Sequence, residues 1–177
     1  LYRDNRDAFP VARIFAKRGI PFRIESNDDI LDDPEIRKFL ILLRLADRPG
    51  DEDLLAQALH IDFLGIDPTD VYRVLAASAR LCTPLSRLIA HPHEAGVEEK
   101  SEENFARVAE IIAEAARRAK NENLLEAFES LVRGTGYLTH IVAKPDPARE
   151  LDALHALFDE ARSVAERGHR ATLGEFI

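Results

Sequence analysis

The sequence contains no tryptophan, no methionine and a single cysteine in 177 residues. One cysteine cannot form an internal disulfide, which suits a reducing compartment such as the cytoplasm. We expect Cys82 to serve as a small buried hydrophobic side chain. No apolar run approaches the ~18–20 residues that a membrane span requires, and no signal peptide is visible. These absences favour a cytoplasmic protein that does not enter the membrane.

The chain also lacks the short motifs of common catalytic sites. None of its eight glycines is followed by lysine, so a Gly-Lys-Ser/Thr phosphate loop is absent from the sequence. Neither Gly-x-Ser-x-Gly nor His-Glu-x-x-His occurs. His91 and His93 are separated by a proline and have no cysteine nearby, so no metal site is predicted. The remaining candidates are isolated histidines, which we expect to be packing or surface residues: His60, His140, His155 and His169.

The net charge of −8 is unevenly distributed along the chain. Residues 1–24 carry six Lys or Arg against two Asp, a balance of +4, so the other 153 residues carry −12. A protein that binds nucleic acid is usually basic on its contact face. The charge pattern therefore argues against strong, independent binding of duplex DNA by the larger part of the chain.

Most of residues 30–177 show the spacing of amphipathic helices. Asp33 and Pro34 are typical of a helix start, and Ile36, Phe39 and Leu43 follow on one face. Further predicted starts are Asp51, Asp67, a Ser101 cap for a long helix after a solvated linker at 98–100, and a Thr172-x-x-Glu175 capping box. The length suits about one domain. We predict a mainly α, multi-helix bundle.

Residues 1–24 show a different pattern. Leu1–Arg3 suggests the end of a strand, a helix follows up to Gly19, and Ile20–Ile24 alternates like a half-buried strand. Strand, helix and strand form the repeating unit of a parallel sheet, but two strands are too few to be stable alone. We therefore expect a small strand-helix-strand piece that needs a larger sheet.

The order LYRDN, helix, GIPFRI and DDPEIRKFLILLRL resembles superfamily 1 DNA helicases of the UvrD/PcrA/Rep type. In that family, a Tyr-Arg-x-Asn motif ends a strand of the second motor domain. The resemblance implies that residues 1–25 are a fragment of this RecA-like domain (2A) and that residues 26–177 form the helical insertion subdomain (2B). Arg3 and Asn5 would then lie on the motor side, near the DNA path or the nucleotide cleft. Alternatively, they are polar residues at a sheet edge that cap the next helix.

The stretch HIDFLGIDPTD is similar to a (Lys/Arg)-Gly-Ile-Gly motif followed by Thr, which touches the duplex backbone in these helicases. Gly65, Ile66 and Thr69 match and are the candidate DNA-binding residues. Leu64 replaces the basic residue, and Asp67 replaces the second glycine and adds a negative charge. Backbone N–H groups at such a turn can bind a phosphate. The alternative is a plain turn between two helices.

The resemblance also implies a parent protein that is an ATP-dependent DNA helicase of DNA repair, with ATP and Mg bound outside this segment. The segment would be an accessory subdomain that contacts the single-strand/duplex junction or protein partners and regulates unwinding, without being catalytic alone. Two alternatives stay open: the insertion of a helicase-nuclease protein of the AddA/RecB type, and an acidic helical protein-interaction module. The strands of residues 1–24 could also pair with a second copy in a strand-exchanged dimer.

An insertion must leave its host domain and return to it at one place. The helicase hypothesis therefore predicts that Asp32 and Ile177 lie on the same side of the helical body. Positions at opposite poles would contradict it.

Overall fold

The computed structural model describes Arg18 and residues 30–145, 147–167 and 171–177. These ranges contain nine α-helices and no strand, which confirms the mainly α prediction for this part of the chain. The predicted strand-helix-strand piece lies outside the described residues, apart from Arg18. The helices are α1 Pro34–Asp47, α2 Glu52–Leu59, α3 Pro68–Leu81, α4 Leu85–Ala90, α5 Glu99–Asn121, α6 Leu124–Gly134, α7 Tyr137–Val142, α8 Pro147–Arg167 and α9 Leu173–Phe176. The same described ranges contain 3-10 turns at Ile30–Asp32, Asp62–Leu64 and Pro92–Ala95.

Several helices begin where the sequence predicts, because a side chain supplies the missing hydrogen-bond partner. The Asp33 carboxylate accepts from the backbone N–H of Glu35 at 2.8 Å, and Pro34 occupies the first turn of α1. At α9, the Glu175 carboxylate accepts from the backbone N–H of Thr172 at 3.0 Å, as in a capping box. These starts are therefore encoded within a few residues of sequence.

Two local predictions were wrong. Helix α5 begins at Glu99, two residues before the expected cap Ser101, so the expected linker belongs to the helix and its flank. The N-cap residue Glu98 makes no side-chain capping bond, which explains why no capping signal marked this start. Cys82 is exposed rather than buried. It ends α3 in the left-handed region, with φ +50°, and its N–H donates to the carbonyl of Ser78.

Helix α1 is the centre of the bundle and packs against α2, α5, α6, α8 and α9. Its Phe39 is fully buried and stacks on the Tyr137 ring at 4.8 Å between centroids. Phe39 also meets the Phe128 ring edge-on at 5.0 Å, and Phe128 meets Phe158 at 5.4 Å. These aromatic contacts join α1, α6, α7 and α8 into one core.

Helix α4 has only six residues and no capping side chain of its own at Pro84. The carboxylate of Glu52, at the start of α2, reaches it instead. This carboxylate accepts from the backbone N–H of Leu85 and, at 2.7 Å, from the hydroxyl of Ser86. The start of α4 thus depends on a residue 33 positions earlier.

The two ends of the helical body meet at one groove, which we call the junction groove. Ile30 and Leu31 line this cavity of about 640 Å³ together with Phe176 and Ile177, and Leu40 of α1 also lines it. The two ends therefore lie close together and not at opposite poles. The insertion hypothesis requires this proximity. Neighbouring ends are common in compact domains, so the division of the chain at residue 26 stays a prediction.

Candidate nucleic-acid interface

The three candidate DNA-binding residues lie on one surface turn, between α2 and α3. Gly65 ends the 3-10 turn Asp62–Leu64 with φ +73° and ψ 25°, and its N–H donates to the carbonyl of Asp62 at 3.0 Å. This left-handed conformation favours glycine. Gly65 and Thr69 are exposed and Ile66 is half-buried. The turn can therefore be reached from solvent, as the helicase-like motif requires.

The start of α3 already has its donors occupied. The Asp67 carboxylate accepts from the N–H of Thr69 at 2.7 Å, and the Asp67 carbonyl accepts from Asp70 and Val71, each at 3.0 Å. Pro68 has no N–H to offer. The hydrogen bond from the Thr69 backbone lowers the pKa of Asp67, so its carboxylate remains charged. A phosphate at this helix end would meet a negative charge and donors that are already bonded.

An arginine from a distant helix lies against the same turn. Nη2 of Arg107, in α5, donates to the carbonyl oxygen of Leu64 at 2.5 Å. The same nitrogen lies 3.2 Å from the position that a Cβ on Gly65 would take. Within the described ranges, no carboxylate oxygen lies within 4.0 Å of this guanidinium, so its charge is not neutralised by an ion pair there. Arg107 thus brings a cation to the place where the sequence has Leu64 instead of Lys or Arg.

The other side of the turn is held by a cluster of charged groups that we call the Glu35 cluster: Glu35, Lys38, Asp62, His140 and Lys144. The nearly buried Glu35 carboxylate lies 2.9 Å from Nζ of Lys38, 2.6 Å from Nζ of Lys144 and 2.9 Å from Nε2 of His140. Lys38 also binds the Asp62 carboxylate at 2.9 Å. The cluster therefore connects the turn to α1 and α7.

The charges of this cluster stabilise one another. Burial alone raises the pKa of Glu35, but hydrogen bonds from Lys144 and Lys38 outweigh it, and the pKa lies below its usual value. Burial also raises the pKa of Asp62, but the hydrogen bond from Lys38 outweighs this effect, and the pKa lies below its usual value. For Lys38, burial lowers the pKa, yet its bonds to Glu35 and Asp62 raise it overall. At neutral pH these three groups are therefore ionised, and they hold the turn by charge-assisted hydrogen bonds.

Sequence reasoning missed both sets of contacts. His140 was expected to be isolated, but its ring lies 5.2 Å from that of Phe63 as well as contacting Glu35. Glu35 and His140 are 105 residues apart, and Leu64 and Arg107 are 43 apart. Nothing in the local pattern signals such pairs.

The other candidates from the sequence have different outcomes. Arg3 and Asn5 lie outside the described residues. The rings of His91 and His93 stand 6.1 Å apart, and no group of three or more potential metal ligands occurs in the described ranges. Among the helices described, none combines the length and apolar character that crossing a membrane demands.

No protein-family model matches the chain. Curated proteins do match it over nearly its whole length. An ATP-dependent helicase/nuclease subunit of Pediococcus pentosaceus is 22% identical over 183 residues, covering 100% of this chain. The ATP-dependent DNA helicase UvrD1 of Mycobacterium leprae is 24% identical over 182 residues, covering 100% of this chain. UvrD1 of Mycobacterium tuberculosis is 26% identical over 191 residues, covering 98% of this chain.

The chain spans only 15% of the first of these relatives and 23% of the other two. It is thus similar, from one end to the other, to a segment of much longer helicases. This confirms the resemblance to UvrD-type helicases that the motifs in residues 1–75 indicated.

Proposed function

We propose that this chain is an accessory segment of an ATP-dependent DNA helicase. Residues 26–177 would be the helical 2B-type insertion, and residues 1–25 the adjoining fragment of the second motor domain. The observation that carries the proposal is the similarity of nearly the whole chain to helicases of two types, UvrD1 and the helicase/nuclease proteins. The neighbouring ends at the junction groove are compatible with an insertion.

In this proposal the chemistry belongs to the parent protein. ATP and Mg would bind between its motor domains, and the parent would act in the cytoplasm at single-strand/duplex junctions during DNA repair. Arg3 and Asn5 would face the motor side. The helical segment would not hydrolyse ATP alone and would influence unwinding through its contacts with duplex DNA or with partner proteins.

The proposed duplex contact is the exposed turn that carries Gly65, Ile66 and Thr69. Two properties of the turn support this proposal. The turn is exposed, and its position is fixed because Lys38 holds Asp62 at 2.9 Å and Arg107 holds the Leu64 carbonyl. A rigid surface turn loses little conformational entropy when it binds. The chain's net charge of −8 opposes binding to a polyanion, so we expect the isolated segment to bind weakly.

The test is the binding of a labelled duplex to the 177-residue chain across a salt series. Each phosphate contact releases counterions, so log K should fall linearly with log salt between about 50 and 200 mM. No measurable binding, or binding unaffected by salt, would contradict the proposed duplex contact. Purified chain should also show no ATP hydrolysis above a buffer control, and turnover would contradict the assignment of catalysis to the parent.

A second candidate is the same insertion in a helicase-nuclease protein. It is favoured by the relatives named as helicase/nuclease subunits, which include that of Anoxybacillus flavithermus, 23% identical over 172 residues. The two candidates differ in what the full gene encodes. A nuclease domain after the helicase motifs would support this second candidate, and its absence would support the UvrD-like parent.

The third interpretation is a helical protein-interaction module. A full gene without an upstream Gly-Lys-Ser/Thr loop would favour it over both helicase proposals. The strand-exchanged dimer can be tested by comparing the mass in solution of the 177-residue chain with that of residues 26–177. A dimer that disappears when residues 1–25 are removed is the expected result, and a monomer in both cases would contradict it.

A further inference from the structure

We propose that Arg107 is the residue through which the Gly65 turn contacts a DNA phosphate, in place of the basic side chain that the turn itself lacks. The inference rests on the proposed function and names the residue that makes the proposed contact with duplex DNA. The ligand chemistry is a phosphodiester oxygen of duplex DNA, approached along the exposed face of Gly65.

The guanidinium of Arg107 is both fixed and unneutralised. An arginine side chain has five N–H donors, and the described contacts of Arg107 use one nitrogen, Nη2, in its bond to the Leu64 carbonyl. No carboxylate pairs with it in the described part of the chain, although Glu110 of the same helix lines the adjacent cavity. The remaining donors can therefore form a charge-assisted bond to phosphate, which planar guanidinium groups suit well.

The start of α3 is a weaker candidate for the same contact. The N–H of Thr69 is already bonded to the Asp67 carboxylate at 2.7 Å, and that carboxylate would repel a phosphate. Arg107 has no such competitor within 4.0 Å among the described residues. The positive charge at the turn thus comes from α5 rather than from the start of α3.

Other cations without a carboxylate partner occur in the described ranges, but they lack this fixed placement. They include Arg44, Arg80 and Lys120. Arg80 is exposed near the end of α3 and has no described hydrogen bond, so its side chain is not fixed at a surface turn. It therefore provides a matched control with the same charge and a similar exposure.

The experiment measures binding of a fluorescent duplex by anisotropy for the 177-residue chain and for Arg107→Gln, Arg107→Lys and Arg80→Gln. We expect Arg107→Gln to weaken binding about five-fold to ten-fold and to reduce the slope of log K against log salt by about 1. Arg107→Lys keeps the charge but loses the planar guanidinium, so we expect it to weaken binding less than Arg107→Gln does. Arg80→Gln should change affinity by less than about two-fold.

The outcomes separate the two proposals. A chain that binds no duplex overturns the proposed function and this inference together. A chain that binds duplex, with Arg107→Gln no weaker than Arg80→Gln, overturns the role of Arg107 alone. Binding that is equally strong for the single strand would place the contact at unpaired DNA and overturn the duplex assignment.

A second measurement avoids substitutions, in case Arg107→Gln fails to fold. Phenylglyoxal modifies exposed arginines, and mass spectrometry of peptides locates the modified residues. Duplex should protect Arg107 and leave Arg80 reactive. Equal reactivity of Arg107 with and without saturating duplex would overturn the inference.

Discussion

Two glycine turns in this molecule have nearly the same backbone but are held in different ways. Gly65 has φ +73° and Gly136 has φ +79°. Gly136 directly precedes α7, and two residues separate Gly65 from α3. The turn at Gly136 is fixed by its neighbours in sequence. The turn at Gly65 is fixed by the side chains of Lys38, in α1, and Arg107, in α5.

The Gly136 turn is mainly a buried structure. The hydroxyl of the buried Thr135 donates to the Leu131 carbonyl at 2.8 Å and accepts from the N–H of Tyr137 at 3.3 Å. Tyr137 then enters the core against Phe39. The Gly65 turn is exposed and depends on charges. The Gly136 turn should therefore depend on the packing of the core. The Gly65 turn should instead respond to the removal of charges and to pH.

The largest expected effect concerns the buried turn. Tyr137→Ala should reduce the free energy of unfolding by about 3–5 kcal/mol, because it leaves a cavity between Phe39 and Phe63. Urea denaturation measures the loss. Tyr137→Phe is the control: the buried hydroxyl finds no hydrogen-bond partner among the described residues, so its removal should be neutral or slightly stabilising. A large loss with Phe would show that the hydroxyl has a partner.

The second effect concerns the charged turn. Lys38→Met should cost about 1–2 kcal/mol, because Lys38 bridges Glu35 and Asp62 and is only partly exposed. Lys144 and His140 still neutralise Glu35, which limits the loss. Lys120→Met, at an exposed lysine without a described ion pair, should change stability by less than about 0.5 kcal/mol. Equal losses for both variants, measured by urea denaturation, would contradict the bridging role.

The third effect compares the two glycines directly. Gly65→Ala and Gly136→Ala should each cost about 1–2 kcal/mol, since a Cβ is unfavourable at these positive φ angles. Gly50→Ala is the control, because Gly50 has no positive φ and open space around its Cβ position. At Gly65 the new methyl must also move Arg107 from 3.2 Å. Only Gly65→Ala should therefore weaken duplex binding, and equal binding by all three variants would contradict that link.

The smallest effect is a pH dependence of the charged turn. The pKa values of Glu35 and Asp62 are lowered in the fold. In the unfolded chain the pKa values of Glu and Asp are about 4.3 and 3.9. The two carboxylates therefore contribute their full stability above these pH values, and the contribution is lost as the pH falls through the lower pKa values of the folded state. Asp62→Asn should flatten the acid side of a plot of unfolding free energy against pH. Parallel curves for the variant and the unaltered chain would show that Asp62 gains nothing from Lys38.

The fold was predictable where its signals are local. Asp33 with Pro34, and Asp67 with Pro68, mark the starts of α1 and α3 because cap and helix lie within three residues. The start of α5 was not predictable in the same way, since Glu98 provides no side-chain cap. Cys82 was misjudged because its position at the end of α3, rather than its residue type, determines its exposure.

The candidate site was predictable only as a backbone. The sequence around Gly65 predicts a turn, and the structure has a turn at this position. The side chains that hold it come from positions 35, 38, 107, 140 and 144, and they meet only after the helices have packed. Periodicity places each of them on its own helix but cannot state which helices will be neighbours.

The carboxylate of Glu52 has a consequence for the order in which the chain becomes structured. A six-residue helix is too short to persist in water unaided, and the partner for the first N–H groups of α4 is provided by α2. Residues 84–90 should therefore remain a fluctuating coil until α2 has formed and docked beside them. Since the same carboxylate lies at the start of its own helix, one negative charge favours the positive ends of two helices and couples their formation.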